Sequence, residues 1–297
     1  MKLAHNPFLT GKKMPIVVGH RGVPKLHQEN TLAGFQRAVS LGLHAVELDV
    51  RLTKDKKAVC LHDHNLRRLT GSSFDVDDLT WDQLSRLRIK RELPMGIDEH
   101  GQQVIARYER EERIPLLAEV LHEVAAKLLV NIELKLDVAR LWATEIGAIT
   151  AQVIADARAE HRVIVTSFDP RKLARAVQKE SRLAVGFCFD DTMLNFAKPV
   201  LHPRRMLSRI LESNFVNRLL GTRLVGAEHT LIGHKTVERV HAAGAAIGTH
   251  TLFPIGSTTG KPIDPSAMTE AEAFRLVELG VDWIESDDPE RLQKLVA

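Results

Sequence analysis

The residue types that carry proton-transfer chemistry occur in this sequence directly after short apolar runs. His20 and Arg21 follow the apolar run 16–19, and His62 follows the run 58–61. Imidazole titrates near neutral pH and can accept or donate a proton, whereas a guanidinium keeps its positive charge. Strands that end in such residues would hold them at fixed positions, so the pattern predicts acid–base chemistry beside a negatively charged group.

Two further pairs of charged residues are each separated by a single position. They are Glu47 with Asp49, and Glu133 with Lys135. Alternate residues of a strand point to the same side, so the members of each pair project together. Charges that point into an apolar interior are unfavourable unless they are paired or bound to a metal. Three carboxylates without thiolates suit a hard divalent cation, Mg²⁺ or Ca²⁺, better than structural zinc.

Arg21 and Lys135 add fixed positive charge to this set. A metal ion together with arginine and lysine is an arrangement that stabilises negative charge on a phosphoryl group. Each signal is weak alone, because a single histidine at a strand end is more often a structural residue. Their joint occurrence at four separate strand ends favours one shared site.

Short apolar segments alternate with segments of helical period, which predicts a parallel sheet with crossover helices. Most strand candidates are apolar on both faces, as a sheet covered by helices requires. The strand candidates are 16–19, 45–50, 58–61, 128–134, 162–167, 183–188, 223–226, 246–249 and 282–285. The helix candidates are 30–42, 80–88, 116–127, 138–159, 170–179, 203–219, 234–243, 267–279 and 288–296.

The strand candidates exceed the eight strands of a closed barrel by one, and the connector from Val50 to Lys57 is too short for a helix. We therefore predict an α/β fold, a TIM-type (β/α)8 barrel with an irregular second connection. One candidate strand is then short or lies outside the ring. An open doubly wound sheet is the alternative. In a barrel the carboxyl ends of the strands share one face, where the charged residues would converge.

The chain has 297 residues, of which 44 % are hydrophobic and 27 % charged, as in ordinary globular proteins. Because α/β barrels reach this length as one unit, we predict a single domain over 1–297 with an N-terminal tail at 1–14. The net charge of +3 is mild, and no basic patch interleaved with aromatic residues is evident. No nucleic-acid partner is therefore predicted.

Cellular location is suggested by the N-terminus and the cysteines. The N-terminal segment lacks the apolar stretch of a secretory signal, and no run of about 18 apolar residues could span a membrane. Cys60 and Cys188 each lie in an apolar run and are predicted to be buried thiols. These features favour a reducing compartment and a cytoplasmic location.

Two segments interrupt the alternation of strands and helices. Residues 71–113 are polar and charged, and residues 190–223 form an excursion that includes a basic helix at 203–219. Either this helix makes weak contact with a membrane surface, or it docks on the barrel with its arginines in solvent; the second is favoured. Its apolar positions at helical spacing are Leu207, Ile210, Leu211, Phe215 and Leu219, and its arginines include Arg204, Arg205 and Arg209.

The stretch VVGHRGVPKLHQENTLAGFQRAVSLGLHAVELDVRLTKDKKAVCLHDHNLRRLTG closely resembles the glycerophosphodiester phosphodiesterase family. The shared motifs are, in order, HRG, ENT-x3-F-x2-A, E-x-D-V-x-x-T-K-D and HD-x-x-L-x-R-x-T. Further matches are RIPLLAEVL, NIELK, VIVTSFDP and GVDWIESDDPERL. The resemblance covers residues 16–296, and the ordered set of motifs is highly specific.

The resemblance implies a TIM-type barrel that hydrolyses small-molecule glycerophosphodiesters to sn-glycerol 3-phosphate and an alcohol. It also implies a divalent metal, Mg²⁺ or Ca²⁺. By matching positions it implies metal ligands at Glu47, Asp49 and Glu133, a general acid–base pair at His20 and His62, and phosphate contacts at Arg21 and Lys135.

Other positions match the family less clearly. Glu29 matches the glutamate of the ENT motif, which would orient its neighbours or lie near the metal, or be favoured simply by the dipole at a helix N-terminus. The run HTLF stands where many relatives carry W-T-V-N, so His250 either contacts substrate or fills the wall. IESD replaces the family's ITD. Glu228 and His229 are expected near the mouth, with no assigned role.

Other functions are alternatives to the phosphodiesterase hypothesis. A lysophospholipase D-like or sphingolipid-directed enzyme of the same barrel class is supported by the basic helix at 203–219. A non-catalytic binding barrel is disfavoured, because both histidines and all three carboxylates are present. Attack by a neighbouring substrate hydroxyl, giving a cyclic phosphate, and direct attack by water both stay open. No oligomeric state is predicted.

Overall fold

The computed structural model contains a closed barrel of parallel strands. It describes residues 5–9, 11, 14–135, 143–190, 193 and 203–296. The strands of this part of the chain are β1 (Ile16–Gly19), β2 (Ala45–Leu52), β3 (Ala58–Cys60), β4 (Glu92–Ile97), β5 (Gln103–Arg107), β6 (Leu129–Leu134), β7 (Val163–Ser167), β8 (Ala184–Phe189), β9 (Leu224–Glu228), β10 (Ala246–Leu252) and β11 (Trp283–Ser286).

Parallel pairing closes the ring of the barrel. β1 pairs with β2 on one side and with β11 on the other, and the order continues from β2 through β6, β7, β8, β9 and β10 to β11. The predicted eight-stranded barrel is confirmed. The alternative of an open sheet is wrong, because every strand of the ring has a partner on both sides.

The helices alternate with the strands of the ring. Thr31 caps the first of them, because its Oγ1 accepts a hydrogen bond of 3.2 Å from the N–H of Gly34. The first residues of the helix predicted at 138–159 lie outside the described residues. The described helices are α1 (Leu32–Ser40), α2 (Arg67–Thr70), α3 (Trp81–Leu84), α4 (Leu117–Val124), α5 (Glu145–Asp156), α6 (Pro170–Lys179), α7 (Pro203–Ser213), α8 (Phe215–Leu220), α9 (His234–Ala242), α10 (Glu270–Leu279) and α11 (Pro289–Leu295).

The predicted extra strand, β3, lies outside the ring and runs antiparallel to β2. Val50 pairs with Cys60, and Leu52 pairs with Ala58. The chain reverses near Lys56, whose φ of 62° lies in the left-handed region. The irregular second connection is thereby confirmed. His62 therefore does not end a strand of the ring; the hairpin of β2 and β3 brings the chain back towards the mouth.

The side chains inside the barrel change from apolar to charged along its axis. Phe8 and Trp283 pack edge to face at the amino ends of the strands, with ring centroids 5.5 Å apart. Gly248 leaves room for the indole, since a Cβ there would lie 1.9 Å from it. Alternate residues nearer the carboxyl ends are polar or ionisable. The apolar cluster at the base comprises Phe8, Ile16, Val18, Ala45, Ile164, Ala184, Leu224, Ala246 and Trp283.

The segment 71–113, predicted as a polar excursion, contains part of a second apolar core. Leu84, Ile89 and Leu93 are buried there. β4 and β5 form an antiparallel hairpin that was not expected from the sequence. Ile97 of this hairpin bridges to Ser257, so the segment packs against the loop that follows β10.

The predicted basic helix is divided into α7 and α8 at Asn214, whose φ of 51° breaks the helical path. Leu207 and Leu211 of α7 are buried in the main core, which supports docking on the barrel. Phe215 and Leu219 of α8 instead are 60 % and 69 % exposed. The five apolar positions therefore do not form one buried face.

The two cysteines are buried and free, as predicted. Burial raises the pKa of Cys60 and of Cys188 well above the ordinary thiol value, so both stay neutral. Among the described residues, no helix is both long enough and apolar enough to cross a membrane.

Candidate active site

A tight turn after β1 presents His20 and Arg21 at the barrel mouth. Gly19 is required there, because a Cβ would lie 2.2 Å from the carbonyl oxygen of Gly22. The backbone N–H of Arg21 donates a hydrogen bond of 2.9 Å to Glu47 Oε2. His20 Nδ1 lies 2.7 Å from Asp287 Oδ1. The turn thus fixes the directions of both side chains.

The three predicted carboxylates come together beside this turn. One oxygen of each of Glu47, Asp49 and Glu133 lies within 4.8 Å of the others. Lys135 Nζ lies 2.7 Å from Glu133 Oε1 and 3.2 Å from Asp49 Oδ1. Arg21 Nε lies 3.1 Å from Asp49 Oδ2. Period-two spacing on β2 and β6 therefore produced one cluster, as the sequence predicted.

The cluster carries more negative charge than its own cations balance. Burial and the neighbouring Asp49 raise the pKa of Glu47 well above its ordinary value. Burial also acts to raise the pKa of Asp49, but Lys135 and Arg21 outweigh it and hold that pKa well below its ordinary value. Glu47 Oε1 is buried and accepts no hydrogen bond. Such a site fits a divalent cation with oxygen ligands.

Asn30 fixes Asp49 from both sides. Its Nδ2 donates a hydrogen bond of 2.8 Å to Asp49 Oδ2, and its Oδ1 accepts one of 3.0 Å from the Asp49 N–H. The φ of Asn30 is 57°, a conformation that asparagine tolerates better than most residues. The asparagine of the ENT motif is therefore an orienting residue for Asp49.

His62 reaches the mouth from the hairpin of β2 and β3. Arg51 Nε donates a hydrogen bond of 2.8 Å to the His62 carbonyl oxygen, and Asp63 Oδ1 lies 2.8 Å from His62 Nδ1. Burial lowers the pKa of His62, and the positive charges of Arg21 and Lys135 lower it further. His62 is therefore a neutral imidazole at neutral pH, and Asp63 orients its ring.

Glu29 lies outside the three-carboxylate cluster and between two arginines. Arg68 donates two hydrogen bonds to it, at 2.7 and 2.9 Å, and Arg21 donates one at 3.3 Å. Burial acts to raise the pKa of Glu29, but these arginines outweigh it and lower that pKa. Arg68 also bonds Asp63 at 2.6 Å. Glu29 thus orients Arg21. Arg68 connects Glu29 to Asp63, the carboxylate that contacts His62.

A cavity of about 280 Å³ opens beside His20 and Arg21. His250 lines it, and its Nε2 is buried without a hydrogen bond. Burial lowers the pKa of His250 to about 4, so this ring is neutral. Glu228 and His229 line the same cavity, as expected from their place after β9. Lys135 lines a second cavity, of about 240 Å³.

The ring of His229 contacts a carboxylate at each of its two nitrogens. Its Nδ1 lies 2.7 Å from Glu272 Oε1, and its Nε2 lies 3.2 Å from Glu228 Oε1. Arg275 donates hydrogen bonds to Glu272 and to the His229 carbonyl oxygen. The ring is thus fixed between two carboxylates at the cavity wall.

The fold and these contacts define a class of protein: a (β/α)8 barrel whose strand ends gather acid–base and charged residues at one mouth. The chain belongs to the glycerophosphoryl diester phosphodiesterase family, because the sequence model of that family matches residues 20–291. It is thus a member of a family of phosphoric diester hydrolases.

Individual relatives agree with this assignment. A glycerophosphodiester phosphodiesterase of Caldanaerobacter subterraneus subsp. tengcongensis is 31 % identical over 282 residues, which cover 95 % of this chain and 97 % of the relative. A lysophospholipase D of Mus musculus is 37 % identical over 120 residues, covering 40 % of this chain and 36 % of the relative.

Solved structures share the fold. A phosphodiesterase of Oleispira antarctica, determined in complex with the product sn-glycerol-3-phosphate, superposes with a TM-score of 0.66 at 21 % identity. The match covers 95 % of this chain and 97 % of that one. A glycerophosphodiester phosphodiesterase of Thermotoga maritima gives a TM-score of 0.63 at 24 % identity, covering 95 % and 98 % of the two chains.

Proposed function

We propose that this chain hydrolyses glycerophosphodiesters to sn-glycerol 3-phosphate and an alcohol in a metal-dependent reaction that uses two histidines. The observation that carries the proposal is the grouping of three carboxylates, two cations and two carboxylate-supported histidines at one mouth. Membership of the family and the names of its relatives support the same reaction.

Glu47, Asp49 and Glu133 are the proposed ligands of Mg²⁺ or Ca²⁺. Their oxygens lie close enough to share one ion, and a buried oxygen of Glu47 lacks any other partner. When bound, such a cation supplies positive charge that polarises a phosphoryl oxygen. Arg21 and Lys135 would bind the remaining phosphate oxygens, and Glu29 would orient Arg21.

His62 is the proposed general base. It is neutral at neutral pH, and Asp63 holds its Nδ1, so Nε2 is available to accept a proton from the attacking hydroxyl. His20 is the proposed general acid. Asp287 holds Nδ1 of His20, and Nε2 faces the cluster 3.9 Å from Glu47.

The attacking group in this proposal is the glycerol hydroxyl next to the phosphate. Its oxygen bonds to phosphorus while the alcohol oxygen leaves and takes a proton from His20. Water then opens the cyclic phosphate. A diester that lacks the adjacent hydroxyl should be cleaved much more slowly, whereas equal rates would indicate direct attack by water.

The reaction is tested by measuring glycerol 3-phosphate released from glycerophosphocholine and glycerophosphoethanolamine. Assays contain Mg²⁺, Ca²⁺ or EDTA and use the wild type, His20→Ala and His62→Ala. We expect release that requires the metal and falls by roughly a hundredfold or more in each variant. Arg205→Ala, on the exposed part of α7, is the matched control and should keep full activity. Metal-independent release by folded protein would contradict the proposal.

A lysophospholipid substrate is a second candidate. The match to a mouse lysophospholipase D and the exposed Phe215 and Leu219 beside Arg218 favour it. The segment 203–219 would then make weak contact with an anionic membrane surface. Cosedimentation with anionic vesicles should fall in the double variant Phe215→Ser, Leu219→Ser. Faster cleavage of lysophosphatidylcholine than of glycerophosphocholine would select this candidate, and slower cleavage would reject it.

A further inference from the structure

One more buried carboxylate, Glu285, lies inside the barrel beneath the proposed metal ligands. Its side chain is buried, and its Oε1 accepts hydrogen bonds from Asn131 Nδ2 at 2.8 Å and Trp283 Nε1 at 3.3 Å. Both donors are neutral groups. Among the described residues, no lysine or arginine lies within ion-pair distance of Glu285.

The position of Glu285 relative to the cluster follows from strand register. Asn131 is the Cα partner of Glu47 across β2 and β6, and it precedes Glu133 by two residues on the same side of β6. Thr166 Oγ1 donates a hydrogen bond of 2.9 Å to Asn131 Oδ1, which orients the amide towards Glu285. Glu285 is thus one hydrogen bond from a residue that lies directly beside two proposed ligands.

The carboxylates of the mouth differ in their partners. Asp49 and Glu133 each contact Lys135, and Glu29 is bound by Arg68. Glu47 and Glu285 share a different situation, because the described residues supply neither with a lysine or arginine side chain in contact. A buried carboxylate in this state is strongly unfavourable unless a proton or a cation neutralises it. Glu285 and Glu47 both lie in the barrel interior, with Glu285 one layer of side chains nearer the amino ends of the strands.

We infer that Glu285 strengthens binding of the divalent cation by supplying negative charge beneath Glu47, Asp49 and Glu133. It is a positioning residue rather than a catalytic residue, since it acts through the ion site and touches no substrate. The inference rests on the proposed metal dependence. It adds to that proposal a residue, Glu285, that contributes to cation binding through its negative charge rather than through packing.

The experiment measures the affinity of the folded protein for Mg²⁺, Ca²⁺ and Mn²⁺ by calorimetry, without substrate. The variants are Glu285→Gln, Glu285→Asp and the control Glu160→Gln. Glutamine has the same shape and keeps an oxygen acceptor for Asn131 and Trp283, but it removes the charge. Glu160 is a largely buried glutamate before β7, at the opposite end of the barrel.

At pH 8 we expect Glu285→Gln to weaken binding about tenfold or more, as for loss of a unit charge several ångströms from the ion at an effective dielectric constant of about 20. Glu285→Asp keeps the charge and should lose less affinity than Glu285→Gln, although aspartate disturbs the hydrogen bonds more. Glu160→Gln should bind like the wild type.

The results separate this inference from the proposed function. If the wild type binds and Glu285→Gln binds equally well, Glu285 is only a hydrogen-bonded core residue and the inference is overturned. A larger loss in Glu285→Asp than in Glu285→Gln overturns it too, because packing would then outweigh charge. If the wild type binds none of these cations, the proposed metal dependence fails along with it.

Discussion

At the scale of single residues, the protonation state of His62 makes a prediction about pH. Burial and the charges of Arg21 and Lys135 lower its pKa below the ordinary value of 6.5. A general base works when neutral, which is above its pKa, so activity should persist below pH 6.5. We expect the acid limb of kcat/KM against pH to lie below 6.5. An acid limb at or above 6.5 would reassign the base.

The contact between Asp287 and His20 leads to a second prediction at this scale, because Asp287 Oδ1 lies 2.7 Å from His20 Nδ1. In Asp287→Asn, the neutral amide stabilises a protonated His20 ring less well than the carboxylate does. It also holds the required tautomer of the ring less firmly. We expect kcat to fall on the order of a hundredfold with little change in KM. Steady-state kinetics test this, and Asp288→Asn on the next residue serves as the control. A change confined to KM would mean that Asp287 affects binding only.

Residue types and spacing were sufficient to predict the centre of the site. Glu47, Asp49, Glu133 and Lys135 were predicted from the two-residue period of a strand, and the structure brings them together. The carboxylate that supports His20 was not predicted. Asp287 lies far from His20 in the sequence, and only closure of the barrel between β1 and β11 brings the two together. Extending the same period along β11 would have indicated it.

At the scale of elements, the hairpin of β4 and β5 supports the cavity wall. Gly96 has a φ of 96°, and a Cβ there would lie 2.0 Å from the carbonyl oxygen of Ser257. Gly96→Ala should displace the loop after β10, which lines the cavity. We expect KM to rise severalfold at least, because the wall moves while the ring of the barrel does not.

Gly101 offers the matched control for this prediction. It too has a positive φ, of 78°, but no atom lies within 4 Å of a Cβ placed there. Gly101→Ala therefore introduces a similar backbone strain without the clash. Kinetics and thermal melting of both variants check the prediction. Equal KM values in the two variants would show that the contact with Ser257 is unimportant.

Some elements could be predicted from the sequence and others could not. The ring strands are short and mostly apolar, so local pattern was enough to find them. The antiparallel direction of β3 was readable from the sequence but not predicted, because the connector from Val50 to Lys57 is too short for the crossover that parallel strands need. The hairpin was missed because Pro94 and Gly96 interrupt its alternation with a bulge.

At the scale of the whole molecule, the barrel separates stability from chemistry along its axis. The amino end of the interior is apolar and closed by Phe8 and Trp283. The carboxyl end collects charges whose burial is unfavourable. Glu285 lies between them, two residues after Trp283 on the same side of β11. It marks the level at which the apolar interior becomes the ionic site.

That position predicts how stability depends on pH when no metal is bound. Burial is the main cause that raises the pKa of Glu285 to about 7, from an ordinary 4.5. The native state then holds the proton more tightly than the unfolded state does. The resulting stabilisation is fully present below pH 4.5 and is lost as pH rises through 7.

Glu285→Gln has no proton to lose there, so it is the reference for this effect. In EDTA, the free energy of unfolding of the wild type should fall by about 3 kcal/mol relative to the variant between pH 5 and 8. Urea unfolding at several pH values measures it. Saturating Mg²⁺ should reduce the fall, since a bound cation stabilises the charged carboxylate. A difference between the two proteins that stays constant with pH would mean that Glu285 does not change its protonation in this range.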